Sequence, residues 1–212
     1  MPGQSGAMHD PDPHAVTSLE ALAALYGDVG ATARAKEGDA IGPQTRAFIA
    51  ASPFCLLGTI GPRGLHVTPR GDAPGFVEVA DERTLVLPDR RGNNRLDALR
   101  DILADPRVAL RFLVPGASET LRLHGRARIT TDPALRARHE ADGRQPTTLL
   151  VVAVESLFMQ CGKALIRSEL WNGRPRAGVP TLGKLIAEHT AGRADGAALD
   201  ARMPEVYRTT LY

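Results

Sequence analysis

Two donor-rich clusters stand where chemistry could happen. Arg70 closes the run Leu65-His66-Val67-Thr68-Pro69 and is followed by Gly71-Asp72. Arg90-Arg91-Gly92-Asn93-Asn94-Arg95 separates an apolar run ending in Leu87-Pro88 from a helical pattern carried by Leu96, Leu99, Ile102 and Leu103. Guanidinium groups, free backbone N–H groups and the positive end of a helix dipole would meet at the second cluster, and together they suit an anion such as a phosphate. Taken singly, each feature has an ordinary explanation. A lone arginine usually sits solvated on the surface, and Asn93 would serve as a helix N-cap. Two such clusters at strand ends keep an anion site open beside these readings.

The segment from Cys161 to Trp171 places Lys163, Arg167 and Trp171 four residues apart, so a helix would put two cations and an indole on one face. Two meanings stay open: snorkelling cations around a packed tryptophan, or a cationic and aromatic wall against a flat, electron-accepting ring. His66, His124 and His139 show no metal-ligand spacing, and Asp72, Glu78 and Asp89 read as solvated turn acids. No residue is singled out as a general base. The sequence has no GxSxG elbow, no GxxxxGK[ST] loop and no GxGxxG after a strand, which argues against serine hydrolases, P-loop nucleotidases and Rossmann dehydrogenases.

The elements that must hold these clusters are mostly strands. The apolar run 54–60 ends at Gly61-Pro62-Arg63-Gly64, which predicts a hairpin with 65–70. On that return strand Leu65, Val67 and Pro69 share one face, and His66, Thr68 and Arg70 share the other. Further strands are predicted over 76–79, 84–87, 107–114, 120–130 and 147–158. The 120–130 segment alternates Leu121, Leu123, Gly125, Ala127 and Ile129 with Arg122, His124, Arg126 and Arg128, a strict two-residue period. The 147–158 run is apolar enough to lie centrally. Helices are predicted from a Ser18 cap to Gly27, over 43–51 with Pro43 in the first turn, and over 94–104, 133–141, 181–189 and 199–212, the last interrupted at Pro204. Six or seven strands joined by short turns predict a mainly β fold with peripheral helices, an antiparallel barrel closed or nearly closed. Residues 1–16, rich in Gly, Pro, His and Asp, are expected to form a disordered tail, and 17–212 a single domain with helical appendages at both ends.

Bulk properties narrow the partners. The chain has 212 residues, 43% hydrophobic and 24% charged, with a formal net charge of +2. That charge is too small to argue for nucleic acid, and no basic run or aromatic platform accompanies it. Lys36, Lys163 and Lys184 are its lysines, so the arginine excess reflects general composition and each arginine needs a positional argument. The first residues lack the apolar stretch of a signal peptide, and no segment has the length of a membrane span. Cys55 and Cys161 lie far apart without a CxxC and are expected to be buried free thiols in a cytoplasmic protein.

The order HVTPRGD, LVLPDRRGNNRLDALRDIL, DPRVALRFLVPG, ETLRLHGRARI and KALIRSELW resembles the pyridoxamine 5′-phosphate oxidase-like flavoproteins, and within them a branch of FMN-dependent enzymes. The likeness spans residues 48–171. It implies a split antiparallel β-barrel that binds FMN at a homodimer interface. Carried over by position, Val67, Thr68 and Pro69 would lie beside the isoalloxazine with Arg70 at a basic position. Leu87 and Pro88 would touch the ring and ribityl chain, and Asn93, Asn94 and Arg95 would hold the phosphate. Thr120 would face the ring from the second subunit, and Lys163, Arg167 and Trp171 would close the site. Asn94 replaces an arginine of the true oxidases, which shifts the expected phosphate grip toward Arg95, Arg70 and backbone N–H groups. The Arg-Leu-His-type motif that grips the pyridoxal ring is not found, so the implied activity is an FMN-dependent oxidoreduction of an unidentified small molecule other than pyridoxamine phosphate. A flavin-binding sensor without catalysis, and a deazaflavin- or haem-binding relative, are the alternatives.

Overall fold

A computed structural model describes residues 12–175 and 177–212. Chain contacts divide the molecule into two units, Met1–Lys36 and Glu37–Tyr212. In the first, α1 (Leu19–Tyr26) starts where the Ser18 hydroxyl accepts from Ala21 N–H at 3.1 Å and stops at Gly27, as the capping residues predict. A short α2 (Ala31–Arg34) follows; four residues carry no apolar period to betray it. Of the expected disordered tail, residues 1–11 lie outside the described residues, and Ala15 N–H closes a turn onto Asp12 O at 3.0 Å.

The second unit opens with β1 (Glu37–Gly38) and α3 (Pro43–Ala51), whose Pro43 occupies the first turn where an N–H would be unpaired anyway. Then come β2 (Phe54–Gly61), β3 (Gly64–Gly71), β4 (Glu78–Asp81), β5 (Thr84–Asp89), α4 (Asp97–Ala104), β6 (Arg107–Leu113), β7 (Thr120–Thr130), α5 (Pro133–Arg138) and β8 (Thr148–Gln160). The chain finishes with α6 (Lys163–Ser168), α7 (Leu182–His189) and α8 (Gly196–Thr210). The strands form one antiparallel sheet in the order β3-β2-β6-β7-β8-β5-β4, with β1 added on β8. β8 pairs with β7, β5 and β1, the central place its apolar run predicts.

Alternation explains the core. Along β7 the Leu121, Leu123, Gly125 and Ala127 face is buried while His124, Arg126 and Arg128 are exposed. At Gly125 the register with β8 shifts, and a β-carbon there would fall 2.2 Å from the Ala153 carbonyl oxygen, so only glycine lets the two backbones approach this closely. Phe112, Leu57, Leu110, Leu85, Leu87 and Leu150 complete the interior with Ile49 of α3. Each such side chain contributes about 1.5–3 kcal/mol on burial.

The sheet curls on itself without closing. β3 and β4 stand at opposite ends of the strand order, yet Arg70 of β3 reaches Asp89 of β5 at 2.6 Å across the gap. The fold is thus an antiparallel β-barrel left open along one seam, flanked by helices.

Three local expectations are corrected. α4 begins at Asp97 rather than 94, because Asn94 and Leu96 adopt left-handed backbone conformations (φ 58° and 57°) that no helix accommodates. α8 runs through Pro204 without a break. α6 ends at Ser168, where Glu169 turns left-handed (φ 50°), so Trp171 lies beyond the helix that carries Lys163 and Arg167. Among the described residues no helix is long and apolar enough to cross a membrane.

Candidate anion-binding cleft

The open seam is a cleft of about 1060 Å³. One wall is the polar face of β3. Leu65 and Val67 point away, 84% and 63% exposed, while His66, Thr68, Pro69 and Arg70 line the cleft. Pro88 and Asp89 end β5 on the opposite wall, and the loop 90–96, the first turn of α4 and residues 144–148 close the rim.

The loop before α4 is strained where it borders this space. Asparagine tolerates the left-handed region, but a leucine there costs on the order of 1–2 kcal/mol, and such outliers concentrate at functional sites. Asn93 does not cap the helix: its Oδ1 accepts from Arg95 N–H at 3.1 Å within the loop. No side chain caps α4, and Asp97, Ala98 and Leu99 of its first turn all line the cleft. The helix cap position is Leu96, three residues beyond the Asn93 that the sequence predicts. What remains is an uncapped helix start facing the cavity, the arrangement that suits an anion. Asp97 fixes the loop by accepting from Arg95 and from Arg63 of the β2–β3 turn, both at 2.9 Å.

Charge is unbalanced in the cleft. Arg70, Arg90, Arg91, Arg95 and Arg144 line it against the carboxylates of Asp89 and Asp97. Arg70 pairs with Asp89, and Arg90 donates to Asp72 at 2.5 Å and to the His139 carbonyl at 2.6 Å. Arg91 forms no ion pair among the described residues, and Arg144 donates to the Tyr212 carbonyl oxygen. Three buried polar atoms of cleft-lining residues, His66 Nδ1, Arg70 Nε and Thr148 Oγ1, have no hydrogen-bond partner among the described residues. Unsatisfied buried donors and surplus guanidinium charge both favour an anionic, hydrogen-bonding occupant.

Tyr212 closes one end of the cleft. Its hydroxyl donates to Asp72 at 2.6 Å and its ring lies 5.8 Å from the Arg90 guanidinium carbon. Burial opposes ionisation of Asp72, but hydrogen bonds from Tyr212, Ala73 N–H and Arg90 outweigh it and hold the carboxyl below its ordinary range. The same bond to Asp72 pushes the Tyr212 phenol up.

Of the residues expected at the site, Thr68, Pro69, Arg70, Pro88, Asn93, Asn94 and Arg95 line one cavity. Val67 lies on the exposed face of β3, and Leu87 is buried in the core. Thr120 is buried and its hydroxyl lies 3.4 Å from Arg111 Nη1. Trp171 Nε1 donates to the Ala117 carbonyl at 2.7 Å, so the tryptophan belongs with the β6–β7 turn. Lys163 and Arg167 are exposed on α6 and do not line the cleft of their own chain. Sequence reasoning missed His66, Arg144, Thr148 and Tyr212 as cleft residues. The alternation of β3 could have found His66, which shares a face with Arg70; nothing local marks the other three. Of the two thiols, Cys55 is buried as expected, and burial pushes it up to about 12, whereas Cys161 is exposed, contrary to expectation.

No curated protein matches the sequence. Solved structures similar to this chain include HupZ of Group A Streptococcus, at 19% identity over 57% of this chain and 94% of that one, with a TM-score of 0.46. General Stress Protein 26 of Bacillus anthracis is 14% identical over 53% and 88% of the two chains, TM-score 0.42. A FAD-binding protein of Mesorhizobium loti is 14% identical over 57% and 96%, TM-score 0.39. The family model described as pyridoxamine 5′-phosphate oxidase matches residues 41–161, which include β2 to β8 and all but the last rim of the cleft. The match covers more than half of the 212 residues, and the chain belongs to the pyridoxamine 5′-phosphate oxidase family.

Proposed function

We propose that the cleft holds FMN and that the protein is an FMN-dependent oxidoreductase acting on a small molecule other than pyridoxamine phosphate. Family membership makes the function flavin-related in general terms. The choice of FMN rests on one observation: arginines exceed carboxylates around an uncapped helix start, which suits a terminal phosphate monoester. A cleft of about 1060 Å³ is at the upper end of the roughly 300–1,000 Å³ usual for ligand sites, room enough for a tricyclic ring and its chain. Bound flavin supplies the two-electron chemistry; the chain binds and orients it. In this reading Arg95, Asn93, Asn94 and the first N–H groups of α4 hold the phosphate. Thr68, Pro69 and Pro88 shape the path of the chain and ring, and Arg70 sets a positive charge beside it.

A homodimer completes the proposed site. None of Thr120, Lys163, Arg167 and Trp171 lines the cleft of its own chain, and Leu65 and Val67 leave an apolar face of edge strand β3 exposed. A second copy would cover that face and bring the tryptophan and its cations to the flavin. The test is the absorption spectrum of the purified protein and its titration with FMN. Flavin bands that persist through gel filtration support the reading, and no FMN uptake refutes it. Reduction of bound FMN by NAD(P)H with turnover distinguishes an enzyme from a flavin-binding sensor.

A further inference from the structure

His66 is the one titratable side chain on the polar face of β3 that the flavin reading does not use. It lies among the cleft-lining residues with its side chain 35% exposed, and its buried Nδ1 is 3.3 Å from Asp101 Oδ2, a close electrostatic contact rather than an aligned hydrogen bond. Among the described residues Nε2 has no hydrogen-bond partner. Asp101 is unusual in its place. It sits in the buried stripe of α4 with Ala98, Leu99 and Ile102, where an apolar residue would fill the same space without the cost of burying a carboxylate. Two features hold it there. Thr59 of β2 donates its hydroxyl to Asp101 Oδ2 at 2.8 Å, and Gly61 leaves the space that Oδ1 occupies. The helix gives this couple its address. Asp97 and Asp101 are four residues apart and so share a face of α4. Asp97 takes Arg95 of the loop and Arg63 of the hairpin tip, and Asp101 takes His66 one turn further along. His66 is therefore set beside the loop that carries the proposed phosphate donors.

We propose that His66 is a proton-dependent anion-binding group of this cleft: as imidazolium it donates from Nε2 to a phosphate oxygen of the ligand, while Asp101 positions the ring from the opposite nitrogen. The identity of the anion rests on the flavin reading; the couple itself does not. The charged groups around the ring are Asp101 and Asp97 of α4, Arg95 of the loop, Arg63 of the hairpin tip and Arg70 further along β3. Imidazole is the side-chain type that ordinarily exchanges its charge between pH 5 and 8, whereas guanidinium groups stay charged there.

Dissociation constants of FMN and riboflavin, which lacks the phosphate, measured from pH 6 to 8 for wild type, His66→Gln and Asp101→Asn, test this. At pH 6, His66→Gln should bind FMN about tenfold more weakly, the effect of one charge-assisted hydrogen bond, and riboflavin unchanged. The ratio of wild type to variant cancels the phosphate's own titration, and it should fall toward one by pH 8. Asp101→Asn, which loosens the ring's positioning, should retain riboflavin binding and lose part of the FMN advantage at pH 6. An FMN affinity unchanged in His66→Gln, or FMN and riboflavin weakened equally, overturns the proposal. If wild type binds no flavin, the flavin reading fails, and inorganic phosphate titrated against the ¹⁵N resonances of His66 decides the couple. An upward shift of the His66 titration midpoint with phosphate supports it, and no response overturns it.

Discussion

Gly61→Ala is the sharpest structural perturbation available, because the collision can be located to one carboxylate. A β-carbon at Gly61 would lie 1.8 Å from Asp101 Oδ1 and 2.5 Å from its carboxyl carbon. Asp101 is buried and already engaged with Thr59 through its other oxygen, so it has no spare room to turn. The methyl group must either expel the carboxylate from its bond or lever β2 away from α4. Leaving a buried polar group unsatisfied costs about 1–3 kcal/mol, and overpacking a filled interior costs a similar 1–3 kcal/mol. We expect a loss of about 3 kcal/mol, which for a domain of this size lowers the melting temperature by roughly 6–12 °C. Gly58→Ala is the control from the same strand. Its β-carbon would make ordinary contact with Ala109 Cβ at 3.5 Å, so its effect should stay within about 1 kcal/mol. Urea unfolding followed by far-ultraviolet circular dichroism reads both. Equal midpoints for wild type and Gly61→Ala would show that Asp101 is not held against β2 as described.

Further outcomes follow from the cleft and its surroundings. The double variant Arg70→Ala, Arg95→Ala should weaken FMN binding more than a hundredfold by fluorescence titration, since each charge-assisted contact is worth about 1.5–3 kcal/mol. In the native protein a thiol-specific reagent should modify exposed Cys161 readily and buried Cys55 only on unfolding, because burial pushes the Cys55 thiol up to about 12; mass spectrometry of the labelled peptides separates the two. Burial holds the His139 pKa below its ordinary value despite Glu78 beside it. The native state then resists a proton that the unfolded chain accepts, so stability should be fully present above about pH 6.5 and decline as pH falls below it. Denaturant midpoints between pH 7.5 and 5 for wild type and His139→Gln check this, the variant losing part of the decline.

What the sequence reveals depends on how local the determining physics is. β7 could be read residue by residue, since one buried face and one solvated face impose a two-residue period along its whole length. The Ser18 and Pro43 helix starts are equally local. The strand pair carrying Arg70 was legible, and with it one half of the cleft. The start of α4 was not: helical periodicity extends back through Leu96, and only the tertiary fold imposes left-handed backbone on Asn94 and Leu96. Pro204 lies within α8, although its residue type argues for a break. The seam is a long-range property. Arg70 meets Asp89 because the sheet curls, and no spacing along the chain encodes that contact. Tyr212 and Arg144 reach the rim for the same reason. The spacing of Lys163, Arg167 and Trp171 suggested one helical face, but the left-handed Glu169 turns the tryptophan toward the β6–β7 turn.

In the proposed reading the cleft selects a phosphate on a flavin. The decisive quantity is the ratio of riboflavin to FMN dissociation constants at low ionic strength. A preference for FMN of at least a hundredfold is predicted, and it should shrink as salt is added. Equal affinity for the two flavins, or no affinity for either, would contradict it.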